Sequence, residues 1–166
     1  MFKTISTLIN ACLALNLTSG QQVNREQKYP SPDKAVIAVI TSRKVPEATD
    51  ESRVELISKS GKLLAKHDYF SEDGEHGFGV TKAEWTPDSK FFVYSLESSG
   101  GHQAWHSQVC YFSRKSQRIL ILDDELKDGV MNPKFKIEDP NTVVVELWFS
   151  KRVVDVSLSS MRVEQK

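Results

Sequence analysis

Three times along this chain a proline-led turn opens straight into a strongly apolar stretch, and that repetition limits the fold more than any other feature. Ser31-Pro32-Asp33-Lys34 leads into Ala35–Val39, Thr86-Pro87-Asp88-Ser89 into Lys90–Tyr94, and Asp139-Pro140-Asn141 into Thr142–Leu147. The prolines lie 55 residues apart (87 minus 32) and then 53 apart (140 minus 87). Proline presets φ at a turn, and Asp or Asn bonds the neighbouring backbone while tolerating turn geometry. A near-continuous apolar strand needs cover on both faces. One unit cannot supply that cover, so the units are expected to pack on one another.

The rest of the chain fits the same plan. Ten segments rich in Val, Ile, Phe and Tyr read as short strands: Ala35–Thr41, Arg53–Ser58, Lys62–Asp68, Val80–Trp85, Lys90–Leu96, Trp105–Phe112, Gln117–Asp123, Lys134–Ile137, Thr142–Phe149 and Val153–Leu158. Ser60-Gly61 and Ser113–Ser116 carry hairpin-turn signals. No segment shows a long 3.6-residue apolar period, so little helix is expected. Val143–Phe149 reads as a fully buried run broken only by Glu146, and Trp85 and Trp148 read as core side chains. The expectation is an all-β fold, an antiparallel meander of about ten strands in repeated blade-like units. It would form a partial propeller or a β-sandwich over residues 30–166, with repeats near 30–70, 80–124 and 134–160.

The stretch Ala83-Glu84-Trp85-Thr86-Pro87-Asp88-Ser89-Lys90-Phe91-Phe92-Val93-Tyr94-Ser95, with the later Ile119-Leu120-Ile121-Leu122-Asp123-Asp124, resembles the WD40-like repeat of TolB-type β-propellers. In that family a Trp, a small polar residue, Pro and Asp precede an apolar strand, and a later strand ends in an acidic turn. The first repeat matches more loosely, lacking the Trp at Pro30, and the third has Glu138 there. The resemblance implies architecture rather than activity, and propellers of this kind serve as scaffolds, partner-binding modules or appendages of peptidases. A closed propeller takes four to eight blades; this chain has material for about two and a half.

Composition narrows the function classes. The 22 basic and 22 acidic side chains balance, which argues against a nucleic-acid partner and against electrostatic attachment to a membrane. The first twenty residues differ from the rest. Lys3 is their only charge, Ile5–Leu17 is mostly apolar, and Thr18-Ser19-Gly20 supplies small residues. That is the pattern of a secretory signal peptide, with cleavage near Gly20 and a periplasmic or secreted product. An N-terminal helix and an acylated Cys12 are the alternatives. Residues 21–29 read as a flexible lead-in. Loss of the signal removes Cys12 and leaves Cys110 without a disulfide partner. Cys110 lies in an apolar strand pattern, as a small buried side chain rather than a nucleophile.

Candidate chemistry collects in loops. Ser98–His106 is glycine-rich and carries His102, Trp105 and His106, with Trp105 expected to be partly exposed. A spacing of four along a strand separates two imidazoles by about 13 Å, too far to share one ion. Ser71–Gly79, with Glu75 and His76, is acidic and glycine-rich but lacks EF-hand spacing. Asp123-Asp124-Glu125 with Asp128 reads as a solvated loop. No nucleophile elbow and no phosphate-binding loop is present, so no cofactor and no metal are expected. The leading reading is a non-enzymatic binding or structural module that contacts a protein partner or another copy of itself through His102, Trp105, His106, His76 and Glu75. The alternative is a small metal-dependent or hydrolytic enzyme built on the loop histidines and nearby carboxylates. N-terminal sequencing of the exported protein is expected to start near Gln21; a chain still beginning at Met1 would remove both the compartment and the single-cysteine readings.

Overall fold

The computed structural model describes residues 24–45, 49–74, 76–100, 107–131 and 133–161. The signal-like segment 1–20 and Cys12 lie outside them. The fold is all-β, and the described residues form eleven strands in three antiparallel sheets that do not close into a ring. The first sheet runs β1 (Asn24–Pro30), β2 (Val36–Arg43), β3 (Glu51–Ser58) and β4 (Leu63–Asp68), in that spatial order. The second repeats the pattern with β5 (Phe78–Trp85), β6 (Phe91–Ser98), β7 (Gln108–Ser113) and β8 (Arg118–Ile121). The third holds β9 (Lys136–Glu138), β10 (Thr142–Glu146) and β11 (Val153–Ser157). Each proline turn joins the first and second strands of its sheet, so the sequence repeat is a repeat of sheets.

Two expectations fail here. The part of the expected lead-in that the structure describes, residues 24–29, is strand: with Pro30 it pairs with β2 from Asn24↔Arg43 to Pro30↔Ile37, while residues 21–23 lie outside the described residues. The polar side chains that suggested disorder belong to an edge strand, whose ladder bonds are made by backbone. The acidic stretch after β8 is not a loop but a short helix, α1 (Leu122–Leu126), that buries Leu122.

The second sheet is the middle layer. From β6 and β7, Phe92, Tyr94, Leu96, Cys110 and Phe112 face the first sheet, where they meet Val36, Ala38, Ile40, Val54 and Leu56. The alternate residues Phe91, Val93, Val109 and Tyr111 face the other way, onto Val143, Val145, Val156 and Leu158 of the third sheet and onto Leu122, Val130 and Phe135. Period-two alternation therefore puts apolar groups on both faces, and all six residues from Phe91 to Leu96 are buried. Ser95, the polar exception, donates from Oγ to the Pro133 carbonyl at 3.1 Å. Trp85 packs as expected, its ring 5.2 Å from that of Phe92 and its Nε1 donating to the Tyr29 carbonyl at 2.8 Å.

Val143–Phe149 is not buried on both faces. Val143 and Val145 are buried, Thr142, Val144 and Glu146 only half so, and Phe149 is 78% exposed. Among the described residues no further sheet covers the outer face of the third, so β10 needs only one apolar side. The outer face of the first sheet is guarded differently. Ile37 and Ile57 alternate with core residues there, beside the pairs Arg53–Asp68 at 2.6 Å and Lys66–Glu55 at 3.8 Å.

The first two proline turns are the same device, bond for bond. Ser31 Oγ donates to Asp33 Oδ1 at 2.7 Å and accepts from the Val36 amide at 3.1 Å, while the Ala35 amide donates to Asp33 Oδ1 at 3.1 Å. In the second turn Thr86 Oγ1 donates to Asp88 Oδ1 at 2.7 Å and accepts from the Phe91 amide at 3.1 Å, while the Lys90 amide donates to Asp88 Oδ1 at 3.1 Å. Lys34 and Ser89 both take left-handed backbone, at φ 57 and 60. The turns are also joined to one another. The Asp33 amide donates to Ser89 Oγ at 3.0 Å, Arg114 Nη1 spans Asp33 Oδ2 at 2.5 Å and the Ser89 carbonyl at 3.1 Å, and Asn141 Nδ2 donates to Asp88 Oδ2 at 2.7 Å. One end of the molecule is thus a chain of hydrogen bonds running across all three sheets.

That chain sets an acid limit on the fold. Hydrogen bonds from Arg114, Ser31 and the Ala35 amide pull Asp33 from 3.8 to about 2. Burial opposes ionisation of Asp88, but bonds from Asn141, Thr86 and Lys90 outweigh it and hold it at about 2. A carboxyl with a depressed folded-state pKa stabilises fully above its unfolded value and loses that contribution as pH falls through the folded one. Melting temperature is therefore expected to fall steeply between about pH 4 and pH 2. Asp88→Asn should cost about 2 kcal/mol at neutral pH and flatten that acid slope; an unchanged slope in Asp88→Asn and Asp33→Asn would exclude the turn chain as its source.

Candidate functional site

Strand direction places the loops at two ends. The proline turns occupy one. The other carries the β2–β3, β4–β5, β6–β7 and β10–β11 connections and α1, and it holds the loops that sequence reasoning selected. Of the five candidate residues, His76 lies among the described residues, while Glu75, His102, Trp105 and His106 lie outside them. His76 is exposed, with Nδ1 2.5 Å from Asp73 Oδ2 and its amide donating to Asp73 Oδ1 at 3.2 Å. The convergence of His76, His102 and His106 that an enzyme would need involves two residues outside the described set. Among the described residues no three His, Cys, Asp or Glu side chains group to hold a metal ion.

The structure does bring the roots of the two selected loops together, through a residue that sequence reasoning missed. Glu51, at the start of β3, is fully buried. Its carboxylate pairs with Arg43 and accepts the Ser71 hydroxyl, the Ser71 amide at 3.0 Å, the Gly77 amide at 2.9 Å and the Ser99 hydroxyl at 3.0 Å. Ser99 also closes on Gly77, its amide donating to the Gly77 carbonyl at 2.9 Å. One carboxylate thus ties β2, the β4–β5 loop and the root of the β6–β7 loop. Burial pushes the Glu51 carboxyl upward, but the bonds from Ser71, Arg43 and Ser99 prevail and lower it below its ordinary 4.5. Arg43 stacks over Phe70, 4.8 Å from the ring centre, and Arg53 lies over the same ring at 5.0 Å. Gly77 is required here because a Cβ would collide with both the Glu51 carboxylate and the Tyr69 carbonyl. The sequence signal was only a glutamate at the start of a strand; its partners come from residues 8 to 48 positions away.

The acidic cluster 123–128 is structural. Asp123 accepts from the Val109 amide at 3.0 Å and the Val130 amide at 2.9 Å. Asp128 accepts from the Phe149 amide at 3.0 Å and the Ser150 hydroxyl at 3.0 Å, and those bonds lower its pKa. They hold the β10–β11 turn, which is further fixed by Trp148 N–H donating to the Gly129 carbonyl at 2.6 Å and by Leu147 donating to the Arg152 carbonyl at 2.8 Å. The turn presents Phe149, 78% exposed, beside Val153, 67% exposed. Trp148, expected in the core, is half-buried with Lys151 Nζ 4.0 Å above its ring. It lies past the end of β10.

Cys110 is a buried free thiol, pushed up to about 12 by burial, so it stays protonated and unreactive at neutral pH. It lies 3.8 Å from the Tyr69 hydroxyl, which is 2.7 Å from that of Tyr94. Burial raises both phenols, which remain neutral hydrogen-bonding groups inside the first interface between sheets.

No known family model matches the chain, and a search of curated proteins finds no relative of it. No helix among the described residues is long and apolar enough to cross a membrane.

Removal of the Glu51 carboxylate strands the half-buried Arg43 charge and four loop donors. Glu51→Ala is expected to cost about 3–5 kcal/mol in chemical denaturation, and Gly77→Ala to be strongly destabilising by overpacking. Hydrogen exchange should localise the loss in Glu51→Ala to residues 69–77 and 99–100; a variant with wild-type stability would show the clasp to be energetically idle.

Proposed function

We propose that this chain is an exported, non-enzymatic contact module whose recognition surface is the loop end of the three-sheet stack. The observation that carries the reading is the pinned β10–β11 turn. Isolated surface hydrophobics are ordinary, but here a half-buried Trp148 and an exposed Phe149 sit on a turn held by Asp128 and the Gly129 carbonyl, and the exposed Val153 opens the strand that follows it. Large aromatic groups on a pre-ordered backbone are the composition of an interface hot spot, because little side-chain or loop entropy is lost on binding. Lys151 and Arg152 add positive charge, favouring a partner surface with an acidic rim. The β6–β7 loop, rooted by Ser99 in the Glu51 clasp, belongs to the same end and supplies a second contact through Trp105 and the histidines.

The likeness to WD40-like repeats supports the same reading. Blade-like sheets that do not close leave outer faces and edge strands available to a neighbour. The partner is a protein, and a second copy of this chain is the simplest one: two open stacks would each cover what the other leaves exposed. Sedimentation of the wild-type protein up to high concentration is expected to show a dimer, and Phe149→Ser with Val153→Ser to return it to monomer. Those side chains are exposed, so the melting temperature should change by no more than a surface substitution does. A wild-type chain that stays monomeric throughout overturns self-pairing, and a double variant that still dimerises overturns the turn as the contact.

A further inference from the structure

The opposite end of the molecule carries a feature that the contact surface does not use. Between the second and third sheets a cleft of about 590 Å³ opens beside the β7–β8 turn, within the range of small-molecule sites. Its floor is apolar: Phe91 and Tyr111, both buried, meet Leu158 and Met161. Its rim is cationic, formed by Lys90, Arg114 and Lys115, and no carboxylate among the described residues lines it. Lys90 and Arg114 are partly neutralised from outside the cleft, by Asp88 at 3.2 Å and Asp33 at 2.5 Å. Lys115 has no ion-pair partner among the described residues. A second observation points inward as well. Ser116 lines the cleft, and its buried Oγ makes no hydrogen bond among the described residues; a buried hydroxyl left unsatisfied costs free energy that a ligand oxygen would recover.

We propose that this cleft binds a single-chain anionic amphiphile, a carboxylate carrying a medium-length alkyl tail. The tail lies on Phe91, Tyr111, Leu158 and Met161, where it leaves water. The head sits at the rim, where it meets the unpaired ammonium of Lys115 and takes a hydrogen bond from Ser116. A polar anion such as acetate gains only the rim, and an uncharged or cationic chain gains only the floor, so the site discriminates by the combination. Burial holds the Tyr111 phenol up at about 12, so it contributes no competing negative charge at neutral pH.

The test is isothermal titration calorimetry of the full chain with sodium dodecanoate below its micelle concentration, beside acetate and dodecyltrimethylammonium. Dodecanoate is expected to bind at one site per chain, acetate not measurably, and the cationic chain about tenfold more weakly or worse. Added salt should weaken dodecanoate binding, since the head group is held at an exposed rim. Lys115→Glu should weaken dodecanoate binding about tenfold, and Ser159→Trp, at an exposed position lining the cleft, should block it by filling the floor. Both variants alter exposed positions, and circular dichroism checks that they fold. Absence of dodecanoate binding, equal affinity for both head-group charges, or undiminished binding to folded Ser159→Trp would each overturn the proposal.

Discussion

β6 has no side that tolerates water, and the rest of the structure follows from that. Phe92, Tyr94 and Leu96 on one face and Phe91 and Val93 on the other are all buried, and no single sheet can cover a strand of this kind. Fully burying a large apolar side chain contributes about 1.5–3 kcal/mol, so leaving either face of β6 exposed would forfeit about 3–9 kcal/mol, a large share of the roughly 5–15 kcal/mol by which a domain is normally stable. A sheet must therefore lie on each side. The first supplies Val36, Ala38, Ile40, Val54 and Leu56, the third Val143, Val145 and Val156. The flanking sheets need only one apolar side each, which is why β10 alternates where β6 does not.

Hydrophobic layering is non-directional and would allow the sheets to slide. The chain of bonds at the proline-turn end removes that freedom. Asp33 to Ser89, Arg114 across both, and Asn141 to Asp88 connect the first turn to the second and the second to the third. The first two repeats each use one Asp side chain twice, once on its own turn and once on a neighbour. The residue that shapes the local hairpin is also the one that sets the stack. At the far end Glu51 plays the corresponding part for the loops, with the difference that its carboxylate is wholly buried and so depends on Arg43 and four loop donors.

The two ends then divide the labour. Irregular segments collect at the loop end, where backbone must find partners outside the ladders, and the carboxylates of Glu51, Asp123 and Asp128 supply them. With its turn so held, the β10–β11 tip can present aromatic groups without losing its shape. At the turn end the seam between the second and third sheets is imperfectly filled and rimmed by lysine and arginine. Among the described residues the third sheet has three strands where the others have four.

Much of this architecture was legible in the chain itself. The repeated Ser/Thr-Pro-Asp turn, the position of ten strands, the hairpins at Ser60-Gly61 and Ser113–Ser116 and the all-β class all rest on local chemistry: φ restriction by proline, side chain bonding to nearby backbone, and period-two patterning. The strand at 24–30 was not legible, because an edge strand is held by backbone bonds to β2 and Asn, Arg, Glu, Gln and Lys give no apolar sign of it. Nor was the helix at 122–126, since five residues are too few for a period to show. The candidate site was readable as two glycine-rich loops but not as one place, for Glu51 meets Ser71, Gly77 and Ser99 only after three strands have been laid side by side. Sequence alone determined which segments become strands and where they turn, because those choices are made within a few residues. Tertiary structure alone decided which sheet lies in the middle, which apolar groups stay exposed at Phe149 and Val153, and which carboxylates are buried, because each depends on what a distant part of the chain places opposite.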